Sequence, residues 1–481
     1  MTTRREFLTT AAVASLGCSR REPAPRRPNL LFVFPDEMRG SAMGFLNQEP
    51  VITPNLDRFA SESVVLPEAV SNYPVCSPYR AMLMTGRFPL QNKVVSNCTS
   101  RSYEYGVELQ REDRCWSDVL HDTGYSLGYI GKWHLEGPKK PYVESYNNRP
   151  DFAWNEWTPP ERRHGFSYWH AYNTFDRHMV PEYWTTDMGR DERLKVEQWG
   201  PAHEVDTAIA YLKNEGGSYR DAANPFALVV AMNPPHMPYD QHPAKYLAPY
   251  REVGDEELFR RPNIPPAGTK WGDHYRKHIR DYYAMVTGVD DQFGRLMDAL
   301  AAQGLAGDTI VVFTSDHGDC IGIHNQVSKN NHYEESMRIP FLIRWPGRIR
   351  PRRDDLLLSS VDIYPTLLEL MGLADRIPDE VSGTSHAAVL QTGDGPRPDS
   401  QVYLRMPFEH PALGRRGLRT HRYTLMLEQT AGGPGKPELY DRVNDPYELE
   451  NIAADRPKLV KQLLHEQVQP WLDRGDDPWP G

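Results

Sequence analysis

Four short apolar runs constrain this chain most, because each is long enough for a strand and each stops at polar residues. Asn29 to Pro35 stops at Asp36-Glu37, and Tyr125 to Ile130 runs into Gly131-Lys132-Trp133-His134. Phe226 to Met232 precedes Asn233-Pro234-Pro235-His236, and Thr309 to Thr314 precedes Ser315-Asp316-His317. A continuous apolar run is the pattern of a strand buried on both faces, as in a parallel sheet covered by helices. Arg338 to Trp345 continues the pattern as one more buried strand. Helical spacing lies between the runs: Val205, Ala208, Ile209 and Leu212 up to Gly216-Gly217, and Ile279, Tyr282, Val286, Val289, Phe293, Leu296 and Leu300 within Trp271 to Gln303. Open α/β sheets place their ligands beyond the carboxyl ends of the strands, where Asp36, Lys132, His236 and Asp316 are expected to meet.

A fifth segment bears on the same edge. In Cys76-Ser77-Pro78-Tyr79-Arg80, a loop gives way to a helix-competent run, and Pro78 suits a first helical turn. Cys76 is then predicted at a helix N-terminus, where the dipole and Arg80 favour an anion. Read alone, it is better explained as a small buried cysteine at a turn.

The rest of the chain sets bounds. A length of 481 residues allows one large domain and a smaller one, and a net charge of -10 without a basic stripe argues against nucleic acid as a partner. The five cysteines are too scattered for a disulfide framework, and no Cys98–Cys115 bridge is expected. Residues 1–27 read as an export signal and linker: Thr3-Arg4-Arg5-Glu6-Phe7-Leu8 resembles a twin-arginine signal, and Leu16-Gly17-Cys18 is similar to the end of a lipobox. Periplasmic export by the twin-arginine machinery follows, with membrane attachment only through a lipid at Cys18. Residues 28–375 are expected to form the main domain. Within them, the irregular, aromatic stretch 137–191 is expected to be an insertion walling a substrate pocket. Residues 376–481 are expected to form a small subdomain, with short strands at Arg415 to Met426 and Glu438 to Asp441 and a helix from Pro457 to Trp471.

Cys76-Ser77-Pro78-Tyr79-Arg80, with Leu83-Met84-Thr85-Gly86-Arg87 after it, resembles the signature of the type I sulfatases. The resemblance extends through Gly131-Lys132-Trp133-His134, Pro235-His236-Met237-Pro238-Tyr239 and Asp316-His317 to Lys329, in the expected order. It implies the alkaline-phosphatase-like α/β/α sandwich with a large mixed sheet, plus a small C-terminal α+β subdomain with an antiparallel sheet. It implies that Cys76 is oxidised to formylglycine by a formylglycine-generating enzyme. It also implies that Asp36, Glu37, Asp316, His317 and residue 76 hold a divalent ion, with calcium favoured and magnesium the alternative. Glu37 stands where many relatives carry aspartate, and His317 where many carry asparagine. In the implied mechanism the aldehyde hydrate attacks sulfur, His236 protonates the leaving alcohol, and His134 deprotonates the second hydroxyl. Arg80 and Lys132 orient the hydrate, and Lys329 binds sulfate. The implied substrate is a sulfated sugar. A phosphonate monoester or phosphodiester hydrolase is the alternative on the same scaffold, and a non-catalytic sulfated-glycan binding lipoprotein is the alternative of another class.

Overall fold

The chain is described here by a computed structural model covering residues 27–480. The signal, the twin-arginine segment and Cys18 lie outside the described residues. The main sheet has ten strands: β1 (Asn29–Val33), β2 (Val64–Val65), β3 (Ser126–Lys132), β4 (Tyr168–Tyr172), β5 (Glu182–Thr185), β6 (Leu194–Lys195), β7 (Phe226–Ala231), β8 (Thr309–Thr314), β9 (Phe341–Arg344) and β10 (Arg352–Arg353). Their order is β10-β2-β9-β8-β1-β7-β3-β4-β5-β6. The centre is parallel, with β1 between β7 and β8 and β7 beside β3.

Alternation along the strands explains the two layers. Leu30 and Phe32 of β1 and Ile310 and Val312 of β8 enter one core, which also receives Tyr79, Ala81, Met82 and Leu83 of the helix Cys76–Thr85. Leu31, Val33, Val311 and Phe313 enter the other, against Val205 and Ala208 of the helix Gly200–Lys213 and Ile279, Val286 and Phe293 of the helix Lys270–Ala302. Both faces are therefore dry, which is why these strands read as unbroken apolar runs. Among the described residues no helix is long and apolar enough to cross a membrane.

The C-terminal strands β11 (Ser400–Arg405), β12 (Gly414–Thr420), β13 (Tyr423–Thr430), β14 (Gly433–Pro434) and β15 (Glu438–Asp441) form an antiparallel sheet. Leu418, Leu425 and Leu439 join the same hydrophobic cluster as Phe32 and Tyr79, so this sheet shares a core with the main one.

Several sequence expectations change in detail. The strand expected over Arg338 to Trp345 is β9, and it runs antiparallel to β8. After Thr314 the chain stays at the carboxyl edge through the short helix Glu334–Met337, so it re-enters the sheet running back down. The stretch 137–191 is not irregular throughout, because β4 and β5 extend the main sheet beyond β3. Its aromatic and polar strand residues gave no apolar run to find. The helix Gly200–Lys213 stops at Asn214, held at φ 48, and not at Gly216-Gly217; asparagine tolerates the left-handed conformation that ends helices. Arg415 to Met426 is a hairpin of β12 and β13, turned at His421-Arg422. The C-terminal helix is two α segments, Pro457–Leu463 and Gln469–Arg474, joined by a π turn.

Candidate active site

The strand ends meet where the parallel arrangement puts them. Ser315 locks β8 to β1: its Oγ donates to the Pro35 carbonyl at 3.0 Å and accepts from Met38 N at 3.1 Å. Asp36 and Asp316 are thereby held side by side, both fully buried. Cys76 enters from the opposite layer at the first position of its helix, capped by extended Val75. Its Sγ lies 3.4 Å from His317 Nε2, 3.7 Å from Asp36 Oδ1 and 3.9 Å from Lys132 Nζ.

One guanidinium organises the carboxylates. Arg80, one turn along the helix from Cys76, donates from NH2 to Asp36 Oδ2 at 3.2 Å and Asp316 Oδ2 at 3.0 Å, and from NH1 to the Lys132 carbonyl at 2.5 Å. Lys132 Nζ lies 2.6 Å from Asp36 Oδ2 and donates to Asn233 Oδ1 at 3.0 Å. Asp316 Oδ1 accepts from the backbone of Glu37 at 3.2 Å and of His317 at 2.9 Å. Burial pushes the Asp36 carboxyl up, but Lys132, His236, His317 and Arg80 outweigh it and hold Asp36 well below the usual range. Asp316 moves the other way, raised by burial and by the neighbouring Asp36 charge.

This donor set fits a cation. Ligand atoms of Asp36, Cys76, Asp316 and His317 all lie within 4.8 Å of one another, and all four residues are buried. His317 Nδ1 donates to the Gly318 carbonyl at 3.0 Å, which turns Nε2 toward the cluster. Against the downward pull of burial, Asp316 and Cys76 raise His317 to about 9. A proton on Nε2 and a metal ion beside it are alternative ways to satisfy the same negative pocket.

Glu37 belongs to a second group. At φ 66, it groups with Asp36 and His236, and so shares Asp36 with the first cluster. Its Oε1 accepts from Lys329 Nζ and, at 2.8 Å, from Ser328 Oγ, and lies 3.9 Å from His236 Nε2. Its Oε2 is buried without a hydrogen-bond partner. His236 donates from Nδ1 to the Met237 carbonyl at 2.7 Å, leaving Nε2 to face Glu37. Burial lowers His236, and Glu37 only partly counters it. His134, at φ 53, is buried with neither ring nitrogen bonded; burial, Lys132 and Arg80 together hold it well below the usual imidazole range.

The structure brings Asp36, Cys76, Arg80, Lys132, Asp316 and His317 into one cluster and sets His236, Lys329 and Glu37 beside it. Cys98, Cys115 and Cys320 are buried free thiols away from it. Within 137–191, Trp169 and Trp184 are core residues, and Trp154 stands 6.1 Å ring to ring from His134. Sequence reading missed Asn233, which follows an apolar run as the other site residues do and could have been found by that rule. It also missed Asp176 and His178. Asp176 Oδ1 lies 3.7 Å from His236 Nδ1, and His178 Nε2 donates to the His236 carbonyl at 2.9 Å. Both sit in the insertion, where nothing local distinguishes them.

Comparison with known proteins gives one family over most of the chain. The sulfatase family model matches residues 28–373, and a model for the C-terminal region of N-sulphoglucosamine sulphohydrolase matches residues 322–472. An endo-4-O-sulfatase of Bacteroides thetaiotaomicron is 41% identical, over 94% of this chain and 93% of its own. An ulvan-active sulfatase of Formosa agariphila is 32% identical, over 90% of this chain and 78% of its own. A solved Bacteroides fragilis structure, described there as a candidate sulfatase yidJ, is 48% identical with a TM-score of 0.91, covering 96% of this chain and 99% of that one.

Proposed function

This chain belongs to the sulfatase family, and from that premise we propose that it removes sulfate from a sulfated glycan by means of a formylglycine made from Cys76. The observation that carries the proposal is the placement of Cys76: at a helix N-terminus, against two buried carboxylates, and within 3.9 Å of Lys132. A binding protein has no need of a nucleophile there. The relatives that act on 4-O-sulfated sugars and on ulvan make a sulfated polysaccharide fragment the substrate class. Export before use suits such a substrate, with the cysteine modified before the folded protein leaves.

Sulfate ester hydrolysis needs charge neutralisation, a fixed nucleophile and an acid for the leaving oxygen. Asp36, Asp316 and His317 would hold the divalent ion beside residue 76; two carboxylates favour a hard cation such as calcium. When bound, that ion would supply positive charge against the anionic ester, and the modified residue would supply an oxygen nucleophile where Sγ now lies. The remaining work falls to the chain's own side chains. Lys132 presents a point charge at Asp36, and Lys329 presents one at Glu37. Arg80 fixes both carboxylates and so the ion's position. His236 turns Nε2 toward the pocket as the leaving-group acid; the incoming anionic ester counters the burial that lowers it and draws a proton onto that nitrogen. His134, kept neutral by burial and two cations, is set to accept a proton.

The test is the mass of the tryptic peptide carrying residue 76, from protein made in a host able to modify it, together with sulfate release from sulfated oligosaccharides. An aldehyde in place of the thiol, with release, is the expected result. Unmodified cysteine in such a host, or faster turnover of phosphonate monoesters, overturns the proposal.

A further inference from the structure

We infer that Tyr146 and Arg177 form a subsite for an acidic group on the sugar next to the sulfated one, an inference that rests on the glycan-sulfatase reading above. Both residues lie in the aromatic insertion, and both are tied to the leaving-group side of the site. Asn147 donates from Nδ2 to Asp176 Oδ2 at 2.6 Å, and Asp176 N donates back to Asn147 Oδ1 at 3.0 Å. This clamp joins the Tyr146 loop to the Arg177 loop. The Arg177 loop is itself held by Asn233, which donates to the Phe175 carbonyl at 2.9 Å, and by the His178 bond to the His236 carbonyl. Tyr146 and Arg177 therefore each stand one residue from the clamp that flanks His236.

Both side chains are open to solvent: Tyr146 is 60% exposed, and Arg177 is exposed beside it. The Arg177 guanidinium lies 5.4 Å from the Tyr146 ring centroid. Among the described residues no carboxylate lies within ion-pair distance of it. Arginines further along the same insertion are used internally: Arg190 pairs with Glu156 at 2.8 Å and Arg193 with Glu182 at 3.6 Å. An open aromatic face with an unpaired guanidinium against it suits a sugar ring carrying a negative group. The ring stacks on tyrosine, and the planar fork takes a carboxylate or sulfate through parallel hydrogen bonds. His236 is placed to protonate the leaving alcohol, so the remainder of the glycan departs past these two residues.

The experiment measures binding to protein with Cys76→Ala, in calcium buffer, so that it reads the subsite without turnover. The probes are a 4-O-sulfated hexosamine–hexuronate tetrasaccharide and the same compound with its carboxyls reduced, titrated by calorimetry. The acidic form is expected to bind about tenfold tighter, and adding Arg177→Ala is expected to bring the two within about twofold. Tyr146→Ala is expected to weaken both forms equally, since stacking carries no charge. A carboxyl-reduced tetrasaccharide with a second sulfate tells which anion is read: tighter binding through Arg177 means the subsite takes sulfate as well. Equal binding of both uronate forms and of the disulfated probe overturns the inference, as does a preference that survives Arg177→Ala. Because no step is catalysed, such a failure leaves the sulfatase proposal standing, and absence of the aldehyde at residue 76 leaves this measurement unaffected.

Discussion

Lys132 shows how much one side chain carries in this site. Its ammonium is fully buried, touches Asp36, and is kept charged because Asp36 and Cys76 outweigh the burial that would lower it. Lys132→Ala leaves Asp36 with Arg80 and His317 beside it and removes a positive charge from the place where the sulfate must lose its own repulsion. Loss of one such preorganised donor costs about 100-fold to 1000-fold in kcat, or about 2.7 to 4 kcal/mol, and steady-state sulfate release should show it. Lys132→Arg should recover little, because the planar fork cannot replace a point charge between Asp36 and Asn233. The cation is expected to matter differently. Asp36 and Asp316 are already partnered by Arg80, so chelation should abolish turnover and lower Tm by a few degrees without unfolding the protein. Full recovery on adding calcium, read by both activity and thermal melt, checks this; a globally unfolded apo-protein would contradict it.

At the scale of elements, the parallel pairing of β3 with β7 sets where Lys132 and His134 leave the sheet. Gly131 is the weak point of that pairing by design: at φ 98, a Cβ there would meet the Ala231 carbonyl oxygen at 2.2 Å. Gly131→Ala must therefore push β3 off β7 at the residue beside Lys132. The expected result is a thermal shift together with a fall in kcat of at least tenfold; a stable variant with normal turnover would mean that the strand end does not position the lysine. This dependence explains what could be read in advance. Burial on both faces made β1, β3, β7 and β8 visible as apolar runs, and parallel topology then aligned Asp36, Lys132, His236 and Asp316 at one edge. Strands that bury aromatic and polar residues, such as β4 with Trp169 and His170, left no such trace. Neither did residues that act by contact across the chain: Asp176 reaches His236 over 60 positions of sequence only because Asn147 and Asn233 fold the insertion onto the site. The side on which Glu37 turns depends on its own positive φ, which sequence does not display.

Across the whole molecule, the loop after β1 is pinned to distant parts of the chain by buried charges. Glu49 accepts from Arg39 at 3.1 Å, from Arg261 at 2.8 Å and from Ser41, while Arg261 also pairs with Glu335 in the segment that follows Lys329. Burial raises the Glu49 carboxyl, but Arg39 and Arg261 prevail and hold it at about 2, against an ordinary value of 4.5. A folded pKa below the unfolded one means that the stabilisation is fully present above about pH 4.5 and drains away as pH falls from there toward 2. A shift of that size corresponds to about 3 kcal/mol at neutral pH, to order of magnitude. The share of wild-type stability that Glu49 contributes should thus stay level from pH 7 to about 5 and fall below it. Glu49→Gln keeps the shape and removes the charge, leaving Arg39 buried with no carboxylate, so its cost should be largest at neutral pH. As the wild-type carboxylate itself takes up a proton, the two proteins converge, and the Tm gap between them should narrow below about pH 4.5 and close only near pH 2. Thermal melts of both proteins across that range decide the point: a gap that stays constant with pH would mean that Glu49 contributes by packing and hydrogen bonding, not by its charge.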